Sequence, residues 1–68
     1  MDKTEIEICC RYGACVNMYI TTVELLLEAI ENNNEEDIEL YANSIGRRLS
    51  VLRRNEKDFQ KLLEIQED

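Results

Sequence analysis

Residues 31–37 read ENNNEED: Glu31, then Asn32, Asn33 and Asn34, then Glu35, Glu36 and Asp37. Asparagine tolerates turn and left-handed backbone better than most side chains do. Three acids directly after a turn suit the first turn of a helix, where the helix dipole attracts negative charge. The stretch therefore reads as a hinge that ends one helix and starts another.

On the N-terminal side, apolar or small residues fall at Ile6, Cys9, Gly13, Val16, Ile20, Val23, Leu27 and Ile30. Their spacing alternates between three and four without a break, the signature of a helical heptad line. Asp2 or Thr4 can cap its start, and Thr4 followed by Glu7 fits a capping box. On the C-terminal side the line is Ile38, Tyr41, Ile45, Arg48, Leu52, Asn55, Phe59 and Leu62. The reading is an all-α antiparallel helical hairpin of one domain, with helices over about 4–31 and 35–66 and a turn at about 32–34. Folded back at Asn34, the two lines meet in pairs whose residue numbers add to 68, from Ile30 with Ile38 to Ile6 with Leu62. Asn55 then faces Gly13, Phe59 faces Cys9, and Arg48 faces Ile20 while turning its charge outward.

The first helix carries a second apolar line: Ile8, Tyr12, Cys15, Tyr19, Thr22, Leu26 and Ala29, flanked by Met18 and Leu25. One partner helix cannot cover both lines. The second helix adds Ala42, Leu49, Val51, Leu63 and Ile65 beside its own line. A chain of 68 residues buries a small core when alone, and oligomerisation is a common remedy. The expected assembly is a homodimer of hairpins in a four-helix bundle, with Ile8, Tyr12, Cys15, Tyr19 and Leu26 as the self-association surface.

Charge is unevenly spread. The net charge is -7, yet residues 47–61 hold six of the eight cations and a local charge of +4. Arg47, Arg54, Lys57 and Lys61 recur on one helical face with Arg53 at its edge, a ridge roughly 21 Å long. Intrahelical pairs such as Arg54 with Asp58, Arg53 with Glu56 and Lys61 with Glu64 offer a purely structural reason for it. Acids crowd the hinge end instead: Glu24, Glu28, Glu31, Glu35, Glu36, Asp37 and Glu39. Either surface suits a partner of opposite charge, and an acidic surface can imitate the phosphates of nucleic acid.

The chemistry of an active site is missing from the composition. There is no histidine, so imidazole acid–base and triad mechanisms are out of reach. No glycine-rich phosphate loop occurs. Cys9, Cys10 and Cys15 lack the spacing and fourth ligand of a structural zinc site, so no metal or cofactor is expected. There is no uninterrupted apolar run of about 18 residues, and the first residues are acidic where a secretory signal is basic; the expectation is a cytoplasmic protein without a membrane partner.

In length and architecture the layout resembles the small plasmid-encoded helical-hairpin RNA-binding dimers. Their basic residues lie on the first helix and here they lie on the second, so the resemblance assigns no family. The functional expectation is a small non-enzymatic regulatory protein, an inhibitor or adaptor of a larger protein, whose size and acidity fit a phage or mobile-element source. A nucleic-acid-binding dimer that uses the basic ridge is the alternative. A self-assembling structural subunit, with acidic hinge joined to basic ridge, is the third.

Overall fold

The computed structural model describes residues 2–66, and their side chains as far as residue 64. Two helices form an antiparallel hairpin: α1, Lys3–Glu31, and α2, Glu35–Gln66. The molecule is a rod of about 50 × 17 × 15 Å. The side chain of Ile65 lies outside the described residues.

Asp2 caps α1, its Oδ1 accepting the Glu5 amide at 2.8 Å, and Thr4 sits inside the helix. At the other end the chain leaves α1 through Asn33, whose φ of 53° is left-handed. The Asn34 amide donates to Ala29 O at 3.0 Å and the Asn33 amide to Ile30 O at 3.1 Å. This is a Schellman closure, and it satisfies carbonyls that a helix end would otherwise leave open. Asn34 then opens α2. Its Oδ1 accepts the Asp37 amide at 3.2 Å, while its Nδ2 donates to Asp37 Oδ2 at 2.9 Å. One residue thus ends the first helix with its backbone and starts the second with its side chain.

The packing face of α2 is the line read from the sequence. Ile38, Tyr41, Ile45, Arg48, Leu52, Asn55 and Phe59 are half-buried along it, and Leu62 is buried. The packing face of α1 is not the expected one. Ile6, Ile20, Leu27 and Ile30, placed against α2 by the sequence reading, are between 49% and 55% exposed. Thr22 and Ala29, at 5% exposure each, lie instead on the line that runs from Ile8 through Tyr12, Cys15, Tyr19 and Leu26. The side-chain contacts confirm the exchange. Tyr12 stacks on Phe59 with ring centroids 4.6 Å apart and planes 3° from parallel. Asn55 Nδ2 reaches Cys15 Sγ at 3.4 Å, and it also donates to Val51 O at 2.8 Å. These pairs add to 71 and 70, so the register differs by two to three residues from the expected 68. Gly13 faces neither Asn55 nor Phe59: a Cβ built there meets nothing within 4 Å.

Side-chain size explains the choice. Both lines of α1 have the heptad period, so periodicity cannot rank them. The line that packs places small residues, Cys15, Thr22 and Ala29, at every seventh position. In the observed register these stand level with Asn55, Arg48 and Tyr41, the polar or bulky members of the α2 line. Small against large lets the helices approach and interdigitate. Thr22 adds no polar cost, because its hydroxyl donates to Met18 O at 2.8 Å. The other line offers β-branched Val16, Ile20 and Val23 where space is needed.

Arg48 is the misfit of the interface. It does not turn its whole side chain outward: its Nε is buried and has no hydrogen-bond partner in the structure. A buried unpaired donor costs about 1–3 kcal/mol.

Two stability measurements check this account. Asn34→Ala removes the α2 cap and the link to Asp37, and should lower unfolding free energy by about 1 kcal/mol in urea titration. Arg48→Met fills the same space without the orphaned donor, and should leave stability unchanged or raise it by about 1 kcal/mol. A clear loss in the methionine variant would mean that the guanidinium has a partner in solution.

Candidate interaction surfaces

Each surface named from sequence has a definite place on the rod. The self-association set, Ile8, Tyr12, Cys15, Tyr19 and Leu26, is half-buried on the line of α1 that packs on α2. The hairpin uses this face of α1 within one chain. The free apolar surface of α1 is the other line, from Ile6 to Ile30. Cys9, Val16 and Val23 on it are half-buried, whereas Ile6, Ile20, Leu27 and Ile30 stand out. The two lines point about 100° apart around the helix. Met18 and Leu25, exposed on the opposite flank, make α1 apolar around most of its circumference.

Such a helix needs more cover than one neighbour provides. By length and composition alone α1 is apolar enough to cross a membrane, and 17% of that stretch is buried within the hairpin. The remaining described core is thin: Ala29, Leu62 and Thr22 are buried, and no described side chain is wholly withdrawn from water.

The acidic end is built on the capped turn. Glu24, Glu28, Glu31, Glu35, Glu36 and Glu39 are exposed, while Asp37 is half-buried and held by Asn34. Asp37 is thus a capping residue, and the other six carry the free charge. No lysine or arginine occurs from Tyr12 to Gly46, so nothing in the hinge half neutralises them. Leu40, 54% exposed, stands among these acids on α2.

The ridge cations Arg47, Arg53, Arg54, Lys57 and Lys61 are all exposed. Among the described residues none of them closes an ion pair within 4.0 Å, so the expected pairs of Arg54 with Asp58, Arg53 with Glu56 and Lys61 with Glu64 are open. Where the ridge meets the groove between the helices there is a cleft of about 330 Å³ lined by Cys15, Met18, Ser44, Arg47, Arg48 and Val51. Sequence reasoning missed this cleft, because it depends on the register of α1 against α2. Cys9, Cys10 and Cys15 are free thiols, with Cys10 exposed. Among the described residues no group of histidine, cysteine or acidic side chains is arranged to hold a metal ion.

Set against protein-family models, curated proteins and solved structures, the chain matches none of them.

Proposed function

We propose that this protein is a small non-enzymatic regulator, an inhibitor or adaptor that acts in the cytoplasm by docking on a larger protein. It works as a homodimer of hairpins packed into a four-helix bundle. The observation that carries the reading is the division of its surface: an uncovered apolar line along α1, and a hinge half whose exposed charge is entirely negative. The apolar line supplies an assembly face. The hinge supplies a rigid acidic knob, because the Schellman closure and the Asn34 cap fix Glu31, Glu35 and Glu36 relative to one another. Rigid charge steers association and fixes orientation at little entropic cost. The exposed Leu40 adds an apolar contact inside the acidic field. Glu24 and Glu28 within the apolar stretch of α1 favour a protein partner over lipid for that helix.

One observation favours nucleic acid as a second reading: the five ridge cations are exposed and free of ion pairs among the described residues. If those five met phosphates, affinity would fall roughly several-hundred-fold between 50 and 200 mM salt.

Affinity capture from the host lysate, with and without nuclease, separates these readings. The regulator reading expects a protein target that survives nuclease. Binding should weaken at least about tenfold in the triple variant Glu35→Lys, Glu36→Lys, Glu39→Lys, and stay near its original strength in Arg47→Glu with Arg54→Glu. The opposite pattern, with nucleic acid captured and a steep salt dependence lost in the arginine variant, would move the function to the ridge.

A further inference from the structure

We infer that α1 pairs antiparallel with α1 of a second copy, in a register centred on Met18. The inference rests on the dimer reading above and specifies which surface is used and in which direction. Three observations carry it.

The first is the supply of apolar lines. The one continuous line of α2 is used inside the hairpin, whereas α1 has one packed line and one free line. Among the described residues the free line of α1 is the continuous uncovered one, and the same line on another copy matches it in length and period. The angle of about 100° between the two lines suits this, because a helix in a square bundle meets its two neighbours roughly at right angles.

The second is size. An antiparallel register about Met18 sets Ile6 against Ile30, Cys9 against Leu27, Gly13 against Val23 and Val16 against Ile20. The bulkier members toward one end meet the smallest members of the other copy. Val23 gains the open space over Gly13, where a Cβ would meet nothing within 4 Å. A parallel pair would place Gly13 on Gly13, leaving a void, and Leu27 on Leu27. Voids of that kind are costly in a helix interface.

The third is charge. Residues 12–46 carry seven acids and no cation, whereas the rest of the chain carries eight acids and all eight cations. Parallel pairing would bring two acidic hinge ends side by side. Antiparallel pairing lays the hinge half of each copy along the cation-bearing half of the other. Keeping the two acidic halves apart favours that orientation, and the repulsion between them penalises its alternative.

Sedimentation equilibrium on the unaltered chain comes first, followed by oxidative cross-linking in a background with Cys10→Ser and Cys15→Ala. The expected result is a dimer in which Cys9 alone gives no cross-link, Leu27→Cys with Cys9→Ser gives none, and Leu27→Cys with Cys9 retained gives a covalent dimer. A covalent dimer from Cys9 alone would establish a parallel pair and overturn the register while leaving the dimer intact. A monomer at tens of micromolar would overturn the dimer and this inference together. Spin labels outside the seam give a second readout if the cross-linking variants fold poorly. In a cysteine-free chain, labels at Asn17→Cys should lie close across the dimer, and labels at Glu7→Cys should lie about 30 Å further apart along the axis. Equal separations at the two sites would overturn the antiparallel register.

Discussion

The hairpin depends on a single asparagine serving two helices. The backbone amide of Asn34 closes α1 on Ala29, and its side chain opens α2 on Asp37. With both ends tied to one residue, the connection has no slack. A longer loop would let α2 slide along or roll around α1. The short turn allows few registers, and the seam selects among them by size. The aromatic stack of Tyr12 on Phe59, near the far end of the rod, is the product of a register set 20 or more residues away.

That seam is sufficient to order two helices but not to enclose them. Two helices bury one stripe each, and here even the buried stripes keep partial contact with water. The second apolar line of α1 is therefore part of the same design as the first. A helix that stood alone with one partner would carry polar residues at Ile6, Ile20, Leu27 and Ile30. Under the proposed dimer this line is the surface that a second copy completes, and the uneven placement of charge along the rod biases how the two meet.

Much of the architecture was legible because its signals are local. The asparagine run, the acids that follow it and the near absence of glycine and proline identify two long helices and a turn. The packing line of α2 was legible because α2 has only one. The packing line of α1 was not, since two lines share the same period and a hydrophobic pattern carries no information about volume. The deciding feature is the recurrence of Cys15, Thr22 and Ala29 at every seventh position, a signal of volume that bulk hydrophobicity does not register. The charged surfaces were legible as composition. That Asp37 is committed to the cap, and that Arg48 holds an unpaired donor inside the seam, depended on side-chain directions that spacing alone does not supply.

The tight turn also sets an order in which contacts can form. Residues beside the hinge, such as Ala29 and Tyr41, are a dozen positions apart in the chain, whereas Tyr12 and Phe59 are separated by nearly fifty. Loop-closure entropy rises with that separation, so helix pairing that starts at the turn proceeds outward like a zipper. By the same entropy, the contacts made late, such as Tyr12 on Phe59, are the ones expected to open first. On that expectation the cations of α2 ride on the part of the molecule that closes last, and the acids of residues 24–39 on the part that closes first.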